Sequence, residues 1–207
     1  MSYLMSFFYD KVMKSTEEAC LIDWRRELLK DVQGKVLEIG AGTGASLAIY
    51  PDSKNLKLFL SEPDKNMRKL LTEKIKQSAK DNIHVLSSTA EQIDSKNNTY
   101  DFVFLSLVCC SVKNVNLALA EIKRVLKPDG KFIFLEHVAA QNGSSRRKWQ
   151  DRLNGIWGLL AGNCHLNRET EKTIIEAGFS INQIKRESLR KAPSIVRPTI
   201  KGIASLI

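Results

Sequence analysis

Between Lys35 and Pro51 the chain reads KVLEIGAGTGASLAIYP, in which an acid, Glu38, is followed by glycines at three alternate positions, Gly40, Gly42 and Gly44. Glycines spaced this way after an apolar run let bare backbone take positive φ and approach a ligand that side chains would obstruct. A second acid, Glu62, closes the next apolar run about 20 residues on, where a carboxylate can accept hydrogen bonds from both hydroxyls of a ribose. Other reactive side chains lie further along: His137 at the end of a third apolar run, and the adjacent Cys164 and His165. A purely structural tight turn is the plain alternative for the glycines, and taken alone the pattern leaves it open.

Two ligand classes fit a glycine turn with a distant ribose acid, dinucleotides and S-adenosylmethionine. Glu38 separates them. An acid at the strand end repels a pyrophosphate, whereas it suits a positively charged sulfonium or amino group. The expected cofactor is therefore S-adenosyl-L-methionine, with S-adenosyl-L-homocysteine as product.

The elements that must position these residues follow from periodicity and breakers. Short β-branched and aromatic runs alternate with helix-period segments from Lys35 to His137, the pattern of a parallel α/β sheet. Strands are expected at Lys35–Ile39, Leu56–Ser61, Ile83–Leu86, Asp101–Leu105 and Lys131–Glu136. The glycine turn is expected to open a short helix ending near Tyr50-Pro51. A helix from Asp64 places Met67, Leu70, Leu71, Ile75 and Ala79 on one face. Another, Asn116–Leu126, stops at Lys127-Pro128-Asp129-Gly130. Beyond His137, a basic helix is expected over Ser145–Leu160 and a further one over Asn167–Ala177 with Asn167 as its N-cap. Two extended segments, Ser180–Ile184 and Ile195–Ile203, finish the chain as an antiparallel pair. Trp149, Trp157 and Leu160 are expected to pack the domain, or to line an apolar acceptor site.

With Ser88-Thr89-Ala90-Glu91-Gln92 between strands three and four, and Leu126-Lys127-Pro128-Asp129-Gly130 before strand five, the motifs in order resemble the class I S-adenosylmethionine-dependent methyltransferases. The resemblance covers about residues 33 to 137. It implies a Rossmann-like α/β fold, a seven-stranded, mostly parallel sheet with helices on both faces. It also implies that Gly40, Ala41, Gly42 and Gly44 line the methionine part of the cofactor, that Glu38 holds its amino group and that Glu62 binds the ribose. Pro63 and Met67 would pack on the adenine, with core packing the alternative for Met67. Thr89, Ala90 and Glu91 would border the other side of the base, and Ser106 and Leu107 would face the methionyl group.

Three further segments, Leu107-Val108-Cys109-Cys110-Ser111-Val112, Glu136-His137-Val138-Ala139-Ala140 and Cys164-His165-Leu166-Asn167-Arg168-Glu169, are similar to the methyltransferase-like family whose animal members are membrane-anchored thiol S-methyltransferases. This chain has Asn167 where that family has threonine. It also starts with a short amphipathic segment, Tyr3 to Met13, rather than a hydrophobic anchor, so a soluble form is expected. The resemblance implies a small-molecule acceptor, first of all a thiol. A lipid or quinone-type acceptor is the alternative.

Methyl transfer from an activated donor chiefly requires that the nucleophile be placed about 3 to 3.5 Å from the methyl carbon. A thiol must also lose its proton, which at a pKa near 8.5 asks for a modest base or a positive potential. His137, where α/β sites open, is the candidate base, with a structural histidine bonded to a backbone carbonyl as the alternative. Cys164, His165 and Trp157 are candidates for the acceptor pocket. No metal is expected, because structural zinc wants four ligands at recognisable spacings and Cys164 with His165 supplies two. Residues 1–32 are expected to form a helical lid, with Tyr9 reaching the cofactor carboxylate. Residues 33–137 form the cofactor-binding core, and 138–207 the acceptor side of the same domain.

Charge and cysteine usage narrow the rest. The net charge of +9 comes mostly from residues 140 to 207, which hold 12 Lys/Arg against 5 Asp/Glu. That imbalance raises nucleic acid binding as a different class of function. No base-flipping motif, basic-aromatic repeat or added recognition domain accompanies it, so a solvated basic face is expected, with peripheral membrane contact by the N-terminal segment as a further partner. Four cysteines without a CxxC pair point to reduced thiols and a cytoplasmic location.

Overall fold

The computed structural model describes residues 3–78 and 80–207, with side chains from Asp10 onward. Its strands form one seven-stranded sheet: β1 Gly34–Ile39, β2 Leu56–Ser61, β3 Ile83–Leu86, β4 Tyr100–Ser106, β5 Leu126–His137, β6 Phe179–Ser188 and β7 Pro198–Leu206. In space the order is β3-β2-β1-β4-β5-β7-β6. The first five are parallel, and β7 runs antiparallel between β5 and β6. The strand order reverses between β1 and β4, the place where open α/β sheets bind ligands beyond the carboxyl ends of the strands.

Alternation along the strands gives the sheet two apolar faces. Leu37, Ile39, Val103, Leu105, Phe132 and Phe134 point to one, where they meet Leu119, Ile122 and Val125 of α4 (Val115–Val125) and Ile174 of α6 (Thr170–Glu176). Val36, Leu58, Leu60, Phe104 and Ile133 point to the other, against Leu29 of α2 (Ile22–Leu29) and Leu71 of α3 (Lys65–Gln77). Strands buried on both faces read as near-continuous apolar runs, as these do. α1 (Tyr3–Thr16) joins α2 through a π-helical turn, Glu17–Leu21, and Cys20, Leu21 and Trp24 pack on Leu135 and Leu189.

α5 (Ser145–Leu160) has the bounds expected from sequence, but its packing differs. Its one buried residue is Gln150, which accepts from the Ala140 amide at 2.7 Å and donates to the Ile195 carbonyl at 2.8 Å. Trp149, Ile156, Leu159 and Leu160 stand in solvent, so Trp149 and Leu160 do not pack the domain as expected.

Other local differences have physical causes. No helix follows β1: residues 42 to 49 form successive turns, with amide bonds from Gly44 to Ala41, Leu47 to Gly44 and Ile49 to Ser46. Gly42 and Gly44 both sit at positive φ, +58° and +84°, a conformation no right-handed helix continues. β5 starts at Leu126 rather than Lys131, because Leu126 pairs with Tyr100 before a register shift resumes the ladder at Phe102 and Lys131. α6 starts at Thr170, and Asn167 does not cap it; its side chain donates to Asp151 at 2.8 Å. The N-cap of α3 is Asp64, which accepts from the Asn66 and Met67 amides at 3.0 Å each.

Candidate active site

The glycine turn and the second acid meet directly. Glu62, the first residue after β2, accepts from the Gly42 amide at 2.8 Å and from the Asp64 amide at 2.8 Å, one bond per carboxylate oxygen. Each oxygen keeps a lone pair for a further donor. Burial raises the Glu62 pKa, and the two amide bonds oppose that.

What lies against the three glycines differs at each. A Cβ on Gly40 would come within 2.6 Å of Val108 Cγ2, and one on Gly44 within 2.8 Å of Leu71 Cδ1. A Cβ on Gly42 would meet nothing within 4 Å. The turn therefore fits one ligand face, at Gly42, beside Glu62. A second mark of fit is Ser88 Oγ, buried without a hydrogen-bond partner in the β3–β4 connection, where a base edge could satisfy it. Gly42, Glu62 and Ser88 together suit a nucleoside such as that of S-adenosylmethionine.

The remaining cofactor candidates divide. Glu38 is buried and accepts from Tyr50 Oη at 2.8 Å; burial raises its pKa, against hydrogen bonds from Ser46 and Tyr50. Ala41 is buried, and its amide bonds the Ser61 carbonyl at 3.0 Å. Pro63 is exposed, with its carbonyl held by Arg68 at 3.0 Å, while Met67 is buried. Thr89 is exposed, and Ala90 belongs to the core. Glu91 accepts from the amides of Lys113 and Asn114 at 2.8 and 3.3 Å, which ties the β3–β4 connection to the start of α4. The Tyr9 side chain lies outside the described residues, as does Ala79. The next residue of α1, Asp10, accepts from Thr43 Oγ1 at 2.5 Å and pairs with Lys74 at 3.1 Å, so α1 lies over the glycine turn.

The loop after β4 is fixed from several sides. Ser106 accepts from Nε of the buried Arg25 at 3.2 Å, and Arg25 pairs with Glu17 at 2.5 Å. Leu107 has φ +60°, a costly conformation for a branched side chain, held by its amide bond to the Leu135 carbonyl at 2.8 Å. Glu136, fully buried in β5, accepts from the Val108 and Cys110 amides at 2.7 and 3.3 Å, and burial pushes its pKa up to about 7. Arg168 bonds the Cys109 carbonyl and, at 2.6 Å, that of Val112. Sequence reasoning assigned no role to Glu136, Arg168 or Cys110. The motif segments Leu107–Val112, Glu136–Ala140 and Cys164–Glu169 each contain one of them.

His137, the last residue of β5, places Nε2 at 2.9 Å from Cys164 Sγ; Nδ1 is buried without a partner. Its neighbour is thus a thiol and not the backbone carbonyl of the structural alternative. Hydrogen bonds from Cys110 and then His137 hold the Cys164 thiol well below the ordinary thiol range, and the same bond with its own burial raises Cys110. Trp157 is half-buried; its buried Nε1 makes no well-formed hydrogen bond, and the indole N–H near Cys164 favours the thiolate. His165 joins by its backbone, the amide donating to the Cys110 carbonyl at 2.7 Å, while its ring contacts Asn154 at 3.4 Å. Burial and the charge of Arg168 lower the His165 pKa. A groove of about 1110 Å³ runs between α5, α6, β6 and β7 and touches neither the glycine turn nor Cys164.

Comparison with known proteins agrees with this geometry. A methyltransferase domain matches residues 37–134. Thiol S-methyltransferase TMT1A of Homo sapiens is 34% identical over 197 residues, covering 87% of this chain and 77% of the human protein. The chain belongs to this thiol S-methyltransferase-like family of class I methyltransferases. It is an S-adenosylmethionine-dependent methyltransferase. The ubiquinone/menaquinone biosynthesis C-methyltransferase UbiE of Rickettsia prowazekii is 28% identical over 68% of this chain and 62% of its own. In structure, a possible histamine N-methyltransferase of Thermotoga maritima superposes with a TM-score of 0.69 at 19% identity over the whole of both chains, which bears out the seven-stranded Rossmann-like fold. Among the described residues, no helix is long and apolar enough to cross a membrane.

Proposed function

We propose that this enzyme methylates the sulfur of a small thiol. The observation that carries the reading is the gathering of Cys110, His137 and Cys164 at the carboxyl ends of β4 and β5, where the loop that carries Cys110 also abuts Gly40 through Val108. A 34% identical relative named for thiol S-methylation supports it. Bound S-adenosylmethionine supplies an activated methyl group. This chain's own residues then have three tasks. Gly42 leaves room for the cofactor, and Glu62 and Ser88 accept or donate at its polar edges. α1, anchored by Asp10, is positioned to shield the glycine turn from water. Near His137 and Cys164 the acceptor loses its proton, a modest demand at an ordinary thiol pKa near 8.5. Four free cysteines support a reducing, cytoplasmic setting.

A second reading, a quinone- or lipid-type acceptor, draws on the exposed Trp149, Ile156, Leu159 and Leu160 of α5, which would suit an apolar substrate or the membrane that holds it. One experiment separates them: S-adenosylhomocysteine titration calorimetry, then product analysis across small thiols and detergent-dispersed quinols. Methyl thioether product is expected. Quinol methylation with no thioether moves the assignment to the second reading, and no binding of S-adenosylhomocysteine overturns the cofactor site.

A further inference from the structure

We propose that Cys110, His137 and Cys164 form a three-ligand zinc site whose fourth position takes the sulfur of the acceptor thiol. The inference rests on the thiol reading above and says how the thiol is activated. The two sulfurs and an imidazole nitrogen all lie within 4.8 Å of one another, and they come from three separate elements: the loop after β4, the end of β5 and the segment after α5. At zinc–sulfur and zinc–nitrogen distances of about 2.3 and 2.0 to 2.1 Å, tetrahedral geometry separates ligand atoms by roughly 3.5 to 3.8 Å. The cluster spans that range, so side-chain adjustments of about an ångström close it around an ion.

The donor set selects the metal. Two thiols and an imidazole are soft ligands that suit zinc and not magnesium or calcium. Three protein ligands with an open position are the catalytic pattern, whereas structural sites close with four. The expectation that no metal binds weighed Cys164 with His165; the fold instead turns the His165 ring to Asn154 and brings in His137 and Cys110. The backbone around the ligands is already held. Glu136 takes the Cys110 amide, His165 donates to the Cys110 carbonyl, Arg168 holds the carbonyls of Cys109 and Val112, and Asn163 Nδ2 donates to the Ser111 carbonyl at 2.8 Å. Cys110 and His137 are 2% and 3% exposed, while Cys164 is partly open, so the vacant position would face the Cys164 side. Val108, two residues from Cys110, touches Gly40, which brings that position to the cofactor turn.

The reaction balances. The acceptor R–SH binds the ion and loses its proton to solvent, since a thiol coordinated to zinc is held as the thiolate. Its sulfur attacks the methyl carbon of the bound cofactor, forming the new C–S bond as the old one breaks. The electron pair of the broken bond goes to the cofactor's sulfur, which becomes a neutral thioether. The methylated product, itself a thioether and a weak ligand, leaves the ion.

The test uses the full chain purified under reducing conditions. Elemental analysis is expected to give about one zinc per chain. The cobalt-substituted protein should show a thiolate-to-cobalt charge-transfer band that shifts on adding 2-mercaptoethanol. Cys110→Ser, His137→Ala and Cys164→Ser should each weaken zinc binding more than about a hundredfold, beyond the roughly 10- to 100-fold that loss of an outer-shell partner costs. Cys20→Ser, outside the site, should leave it unchanged, and S-adenosylhomocysteine calorimetry shows that each variant is folded. A metal-free protein that takes up no zinc when reduced, or a Cys110–Cys164 disulfide in the reduced preparation, overturns the site. Unchanged thiol turnover after zinc removal by a chelator also overturns it while leaving the thiol reading intact. Zinc bound without thiol turnover sinks the open-position role and the thiol reading together, while a band indifferent to thiol sinks the open-position role alone.

Discussion

Gly40 and Gly42 have nearly the same backbone conformation, φ +65° and +58°, yet the structure gives them opposite roles, and alanine at each position separates these. Moving a non-glycine residue into the left-handed region costs about 1 to 2 kcal/mol. At Gly42 that is the whole structural cost, because no atom lies within 4 Å of the added methyl. At Gly40 the methyl meets Val108 Cγ2 at 2.6 Å, and overpacking of this kind adds roughly 1 to 3 kcal/mol. For a chain of this size, each kcal/mol lowers the melting temperature by about 2 to 4 °C. Gly42→Ala should therefore melt only a few degrees low while losing more than tenfold in S-adenosylhomocysteine affinity, about 1.4 kcal/mol, since its methyl stands where the ligand must. Gly40→Ala should melt clearly lower, and adding Val108→Ala should recover part of the loss, a coupling of roughly 1 kcal/mol in a double-mutant cycle. Differential scanning calorimetry and ligand titration on five proteins, wild type, Gly42→Ala, Gly40→Ala, Val108→Ala and the Gly40→Ala/Val108→Ala double variant, give both numbers. Unchanged affinity in Gly42→Ala, or equal stability of the two single variants, would refute the division of labour.

Glu62→Gln keeps one acceptor oxygen but sets an NH₂ group against a backbone amide, at Gly42 or Asp64. It should weaken S-adenosylhomocysteine binding more than tenfold, because a charge-assisted acceptor of ribose hydroxyls is lost; titration calorimetry at wild-type affinity would remove Glu62 from the cofactor site. Glu27 is paired with Lys185 and with the buried Lys201 at 2.7 Å each, and these hydrogen bonds lower its pKa from 4.5 to about 2. A carboxylate lowered on folding stabilises the fold above its unfolded pKa, so the contribution is full above about pH 4.5 and is lost as pH falls towards 2. Its side chain is 45% exposed, so screening discounts the full linkage energy to about 1 kcal/mol. The stability gap between wild type and Glu27→Gln in urea titrations should shrink over that acid window, and a gap independent of pH would rule the linkage out.

The parts of this enzyme that were legible in its sequence are those where a local pattern decides the outcome. Strands β1, β2 and β4 were readable because they are largely buried and bounded by breakers, β3 at the sheet edge because its short apolar run is bounded by polar residues, and Glu62 because its distance from the glycines reflects one strand–turn–strand repeat. The turns at residues 42 to 49 were misread as a helix because Ser46, Leu47, Ala48 and Ile49 tolerate one, whereas Gly42 and Gly44 hold positive φ beside Glu62 and Leu71, contacts distant in sequence. The exposure of Trp149 and Leu160 was illegible for a related reason. Helical spacing says that residues share a face but not that anything covers it. Cys110, His137 and Cys164 lie 27 residues apart in both intervals, so their convergence is a product of the β4–β5 pairing and of the Arg168 clamp, neither of which leaves a spacing rule behind.

Those same contacts decide where the molecule can vary. The loop from Ser106 to Val112 is over-determined: Arg25 holds its first residue, Leu135 its strained Leu107, Glu136 two of its amides and Arg168 two of its carbonyls. A strained residue persists only in such a frame. The cofactor turn leans on the same frame through Gly40 and Val108, so a change that moves the loop disturbs cofactor and sulfur cluster together. The opposite wall is held more lightly. α5 buries Gln150 alone, and the segment from Gly162 to Leu166 is tied by backbone bonds and by Asn154 and Asn163, which tolerate exchange of the side chains around them. Acceptor choice is therefore expected to respond to substitutions at Trp157 and its neighbours on α5, whereas substitutions in the β4 loop should lower turnover for every acceptor alike.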